Sequence, residues 1–202
     1  MPRLSDEGEV VAEVVLYHHV QGQTPGFHAF ADILRDAGHT VYTPDLFDGV
    51  VFTDFGEGLD HAESVGFGEL LDRGVRAAAD LPRNVVYAGF SLGCLPAQML
   101  AQTRKGARGA LLFHAAVPIT EFGSAWPVEV PVQIHAMDAD PIFVGEGDIE
   151  AAEQIVADAR DAHLFLYPGH EHLFADASLA SYDETAAETM MQRVLEFLAV
   201  LG

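Results

Sequence analysis

Short apolar, β-branched runs alternate with longer stretches of helical periodicity along almost the whole chain. Residues 10–17 form a β-branched run suited to a buried parallel strand, and residues 18–26 are a polar loop containing Gly and Pro. Residues 27–37 carry apolar positions at helical spacing, closed by Gly38. Residues 40–43 make a second short strand, which runs into the loop Pro44-Asp45-Leu46-Phe47-Asp48-Gly49. Residues 63–81 then predict one helix, ended by Pro82. A third strand begins at Val85, a helical pattern runs from Leu95 to Arg104, and residues 110–114 make a fourth strand. A loop over residues 115–127 contains Trp126. Strands over 132–135 and 163–167 flank a helix over 148–159, with Asp148 placed to cap it, and residues 181–201 predict the closing helix.

This alternation implies an α/β domain: a mostly parallel central sheet with helices on both faces. Ligands bind such sheets beyond the carboxyl ends of the strands, so the loops that begin near His18, Pro44, Gly89, His114, Ala136 and Pro168 are the ones that matter. No repeat or linker divides the 202 residues, which are expected to form one domain preceded by a flexible stretch over residues 1–9.

One of those loops carries a chemical signature. Gly89-Phe90-Ser91-Leu92-Gly93 follows an apolar strand and precedes a helix, the setting of a nucleophile elbow. A serine hydroxyl needs a histidine to take its proton, and the histidine needs a carboxylate to fix its tautomer. Both follow in order, each after a later strand: Asp138-Ala139-Asp140-Pro141, then His170-Glu171-His172-Leu173-Phe174. Asp140 is preferred over Asp138 because Pro141 fixes the turn after it. His172 is preferred over His170 because Leu173 and Phe174 anchor the loop behind it.

An oxyanion hole would take the backbone N–H of Leu92 at the helix start and a second N–H from the first loop, assigned to Val20. His19 and His114 end strands near the same place and are expected to line a substrate pocket. The His170-Glu171-His172 spacing does not match a helical zinc motif, so neither a metal nor a cofactor is expected. Cys94 is read as a small buried residue, and as the single cysteine it excludes a disulfide framework.

The first loop His18-His19-Val20-Gln21-Gly22, the Pro44-Asp45-Leu46-Phe47 segment, the elbow, Asp140-Pro141 and His172-Leu173-Phe174 together resemble the dienelactone hydrolase family, from about residue 14 to 198. That resemblance implies an α/β-hydrolase fold without a large cap domain. It also implies hydrolysis of a small ester or lactone through an acyl-enzyme, with Ser91 attacking, His172 as base and then acid, and Asp140 orienting it. The best-known members look like Gly-x-Cys-x-Gly-Gly at the elbow, where this chain has Ser91 and, at the last position, Cys94. They also place a glutamate in the first loop, where His19 stands here. Arginines to receive a dienelactone carboxylate are not evident, since the loop after Pro44-Asp45 has none before Arg73. A thioesterase, a lipase-like esterase or an acyltransferase would share the triad, and a catalytically silent binding module would share the fold.

Charge narrows the partners. Ten basic residues face 31 acidic ones, a net charge of −21, and Lys105 is the single lysine. Such a surface repels phosphate backbones and anionic bilayers, which excludes nucleic acid and membrane as partners and leaves a small-molecule substrate. Whether copies associate as a homo-oligomer stays open. The polar, acidic start of the chain does not read as a signal peptide, and a cytoplasmic location is expected. An acid-rich, lysine-poor surface repels itself in dilute buffer and is relieved at molar salt, where the Debye length shrinks to about 3 Å. The working environment is therefore expected to be a salt-rich cytoplasm. The melting temperature should rise between low and molar KCl, and a scan in which it stays flat or falls would remove that expectation.

Overall fold

The computed structural model describes residues 11–201. The expected flexible stretch over residues 1–9, and the start of the first strand at Val10, lie outside the described residues. Six strands, β1 (Glu13–Tyr17), β2 (Thr40–Tyr42), β3 (Val86–Phe90), β4 (Gly109–Phe113), β5 (Val132–Met137) and β6 (Ala162–Tyr167), form one parallel sheet in the order β2-β1-β3-β4-β5-β6. Among the described residues seven α-helices connect and close it: α1 (Pro25–Asp36), α2 (Phe55–Val65), α3 (Phe67–Ala77), α4 (Cys94–Thr103), α5 (Pro141–Gly145), α6 (Asp148–Asp158) and α7 (Glu184–Ala199). No described helix is long and apolar enough to cross a membrane.

The continuous apolar strands follow from burial on both faces. Along β1, Val15 and Tyr17 join one core with Leu70 of α3 and Ile155 of α6, whereas Val14 and Leu16 join the other with Phe30 of α1 and Val194 of α7. Thus α1 and α7 cover one face, and α2, α3, α4 and α6 the other. Caps fix several helix starts: Thr24 accepts from the N–H of Phe27, Asp54 from that of Glu57, and Asp183 from that of Ala186.

Three elements differ from the expected pattern. The single helix expected over 63–81 is two helices that break at Gly66, whose φ of 93° lies in the left-handed region, and the first begins eight residues early, at Phe55. The short helix α5 was not anticipated; Asp140 caps it, accepting from the N–H of Ile142 at 2.9 Å. The closing helix starts at Glu184, because Asp183 is its cap.

The strand order reverses between β1 and β3, the point at which open parallel sheets place their ligands. At that point the backbones nearly touch. A Cβ on Gly93 would lie 2.6 Å from the carbonyl oxygen of Tyr17 and 2.8 Å from that of His18, and one on Gly89 would lie 2.1 Å from the carbonyl oxygen of Gly93. Gly93 has ordinary helical dihedrals, so its requirement for glycine is one of space. The Gly93→Ala variant should lose about 2–3 kcal/mol of stability, as overpacking against immobile backbone does. Gly123→Ala, whose Cβ would meet nothing closer than 3.6 Å, should change stability by less than about 0.5 kcal/mol; urea titration of both variants checks the contrast.

Candidate active site

Ser91 stands at the turn from β3 into a short 3-10 segment that leads into α4, with φ at 48°, a conformation disfavoured for any residue with a Cβ. This lifts its side chain off the carboxyl end of the sheet. Its Oγ lies 2.9 Å from Nε2 of His172, and Nδ1 of His172 lies 2.7 Å from Oδ2 of Asp140. Because an ionised carboxylate only accepts, Nδ1 carries the proton and donates to Asp140, which leaves Nε2 free to accept from the serine hydroxyl. Asp140 is fully buried and spends its other oxygen on the N–H of Ile142, so it cannot turn away. Each of the three side chains comes from the loop after a different strand: β3, β5 and β6.

The alternatives within each loop do other things. Asp138 accepts from the N–H of Gly169 at 3.0 Å and ties the β5 loop to the β6 loop. His170 is exposed and pairs with Glu171 at 3.3 Å. Cys94 is buried, donates its thiol to the carbonyl of Gly89 at 3.0 Å, and is pushed far above its usual pKa by burial, so it stays protonated.

Ser91 and His172 open onto a cavity of about 210 Å³. Val20 and Leu92, expected as oxyanion donors, both line it, with Phe55, Leu59, Leu95 and Ile142 as apolar walls. Glu146 and Asp148 also line it. Among the described residues no group of three or more His, Cys, Asp or Glu is arranged to hold a metal ion.

His19 and His114 were expected to line the substrate pocket; neither is among the residues that line this cavity. His19 faces inward: its Nε2–H donates to Asp176 at 2.9 Å, and its Nδ1 accepts from the N–H of Gln21 at 3.2 Å. Burial lowers its pKa despite Asp176, so the ring is neutral. Asp176 also accepts from the hydroxyl of Thr24 and from the N–H and hydroxyl of Ser178. Burial pushes the carboxyl pKa up, but the hydrogen bonds from His19, Ser178 and Thr24 together outweigh it and hold it at about 2. Gly26 leaves room for this carboxylate: a Cβ there would lie 1.8 Å from its oxygen. His19 and Asp176 thus clamp the loop bearing Val20 to the loop bearing His172. The sequence reading missed Asp176, since no spacing rule links positions 19 and 176.

His114 lies beneath His172, with ring centroids 5.9 Å apart, stacked on Phe90 and edge-on to Phe174. Both of its ring nitrogens are buried without a hydrogen-bond partner among the described residues.

The sequence profile of the dienelactone hydrolase family matches residues 5–201. The chain belongs to the dienelactone hydrolase family. It is a hydrolase of that type, on an α/β-hydrolase fold with no large cap domain. Among solved structures it is similar to a dienelactone hydrolase-like promiscuous phosphotriesterase from metagenomic libraries, at 19% identity and a TM-score of 0.75, covering 94% of this chain and 86% of that one. It is also similar to esterase 2 of Thermogutta terrifontis, solved phosphorylated by paraoxon, at 18% identity and a TM-score of 0.59, covering 96% and 84% of the two chains. At these identities the likeness speaks to the fold alone. No curated protein matches the chain in sequence.

The environment of His114 makes a thermodynamic prediction. Burial holds its pKa well below the ordinary value, with His172, His19 and His135 adding to the effect. It is therefore neutral when folded, whereas in the unfolded chain it binds a proton below about pH 6.5. The unfolded state then holds more protons, and stability falls as the pH drops. His114→Phe should be more stable than the wild type, since it removes two unpaired polar groups from an aromatic site. That advantage should widen by about 2 kcal/mol between pH 7 and pH 5, measured by denaturant unfolding at each pH. A pH-independent difference would show that His114 takes up its proton in the folded state.

Proposed function

We propose that this hydrolase cleaves a small ester or lactone through an acyl-enzyme formed on Ser91. The observation that carries the reading is the unbroken hydrogen-bonded line from Ser91 Oγ through His172 to buried Asp140, open to an apolar cavity on the serine side. Oγ attacks the ester carbonyl carbon as its proton passes to His172 Nε2, and the resulting imidazolium is stabilised by Asp140. The carbonyl oxygen takes up negative charge and accepts from the N–H groups of Leu92 and Val20. His172 then returns the proton to the departing alcohol. In the second half a water gives its proton to Nε2 and attacks the acyl carbon, which releases the acid and restores Ser91.

The family supports hydrolysis, and the names of the two structural neighbours, an esterase and a phosphotriesterase, support an ester as the bond that is broken. The serine supports the same chemistry as the family's usual cysteine, provided a base activates it, and His172 is in reach to do so. No cofactor takes part in this scheme. The net charge of −21 supports a salt-rich cytoplasm as the place where it runs.

A fluorophosphonate probe should label Ser91 in the wild type and fail to label Ser91→Ala. His172→Ala should lower kcat for p-nitrophenyl butyrate by roughly 10⁴-fold or more, with folding unchanged by circular dichroism. Labelling elsewhere, or full activity in His172→Ala, would overturn the mechanism.

A further inference from the structure

The polarity of the cavity walls deepens the reading of Ser91 as the nucleophile, on which the following rests. Apart from His172 and the thiol of Cys94, the titratable groups on the wall are Glu146 and Asp148. A second hollow of about 520 Å³ adjoins the cavity, sharing Phe67, Leu95, Val117, Glu146 and Asp148 as walls and adding Glu121. Neither hollow is lined by a lysine or an arginine. Arg73, the first arginine after β2, is already engaged: its guanidinium donates to the carbonyl of Leu46 at 3.0 Å, to Asp48 at 2.9 Å and to Glu69 at 3.1 Å.

We propose that this trough selects esters whose far end is cationic or uncharged and rejects those that carry a carboxylate, with Asp148 and Glu146 setting the preference. The physical reason is proximity: Asp148 is half-buried beside the cavity, and the more exposed Glu146 adds its charge. Between apolar walls a carboxylate repels an incoming anion and attracts a cation more strongly than it would on an open surface. The apolar side chains of Phe67, Leu71 and Phe122 meanwhile offer surface for a hydrocarbon arm.

Asp148 accepts from the N–H of Ala116 at 3.2 Å and is otherwise flanked by His172, Glu146, Asp140 and the thiol of Cys94. Burial, aided by Glu146 and Asp140, raises its pKa to about 6 against the pull of Ala116 N–H and His172. It is charged above that pH and neutral below it, so the preference should fade as the medium is acidified.

The test uses three p-nitrophenyl esters with the same six-carbon acyl chain, ending in methyl, trimethylammonium or carboxylate, and a matching set with the charge on the alcohol side. All are assayed at one salt concentration at which the protein is folded. In at least one set the wild type should show kcat/KM about 10-fold or more higher for the cation than for the anion. Asp148→Asn keeps an acceptor for Ala116 N–H, and together with Glu146→Gln it should cut that ratio severalfold while hydrolysis of the neutral ester persists. Glu188→Gln, on the exposed side of α7, removes one charge from the overall field and should leave the ratio as it was. Normalised to the neutral ester, which cancels any pH dependence common to all the esters, the wild-type ratio should shrink between pH 7 and pH 5. Hydrolysis of the neutral ester with equal rates for cation and anion in both sets would overturn the selectivity alone, as would a ratio unchanged in the double variant. No hydrolysis of any ester, and no probe label on Ser91, would instead overturn the nucleophile, and the selectivity with it.

Discussion

The close approach of two backbones at Gly93 is the constraint on which the rest of the site depends. β1 and β3 are neighbours in the sheet, but their connections leave in opposite directions and pack on opposite faces, α1 with α7 and α4 with α6. Only at the strand ends do the two loops meet. There the helix start after Ser91 presses against the carbonyls of Tyr17 and His18, a distance that admits no side chain at position 93. The contact brings Val20 to the same cavity as Ser91 and Leu92. It also holds the unfavourable backbone of Ser91, because the turn cannot relax without moving β1.

A second tie completes the frame. His172 sits on a loop with no regular structure of its own between β6 and α7, and such a loop needs anchors to hold a ring within hydrogen-bonding reach of a serine. One anchor is Asp140, itself fixed as the cap of α5. Another is the buried pair of neutral His19 and charged Asp176, four residues beyond His172. A carboxylate this deep is tolerated because its oxygens meet donors from Thr24, Ser178 and His19. Phe174 packs in between, against the ring of His114.

Much of this was legible along the chain, for an identifiable reason. A parallel sheet buried on both faces writes itself as continuous apolar runs, and a hydrogen-bonded line of side chains from the loops after β3, β5 and β6 writes itself as an order: Ser91, then Asp140, then His172. These are local patterns joined by topology. What stayed hidden depends on geometry that no local pattern encodes. The break at Gly66 was lost inside an unbroken helical periodicity, since a glycine within a helix and a glycine between two helices look alike in sequence. His19 at a strand end gives no sign of which way its ring turns, and the difference between a pocket wall and a clamp is the position of Asp176, 157 residues away. Asp148 was expected to cap its helix, but Gly147 takes the cap position with no side-chain bond; Asp148 is the first helical residue, and its carboxylate turns to the N–H of Ala116 and the cavity wall.

That last position bears on how a strongly acidic protein can still discriminate among substrates. A net charge of −21 creates a field that draws cations and repels anions everywhere around the molecule, and at molar salt this field is screened within about 3 Å. In a salt-rich medium the global charge therefore does little to choose a ligand. A carboxylate inside a cavity acts at contact distance, where ions have little room to intervene, so its influence survives screening. Asp148 is half-buried between apolar walls and within the field of His172, which places it among the charges that salt leaves effective. If selectivity is to persist under the conditions that the surface composition implies, it has to come from such interior charges. The same acidic residue type thus acts as surface charge over most of the molecule and as a selective wall in the cavity that Ser91 faces.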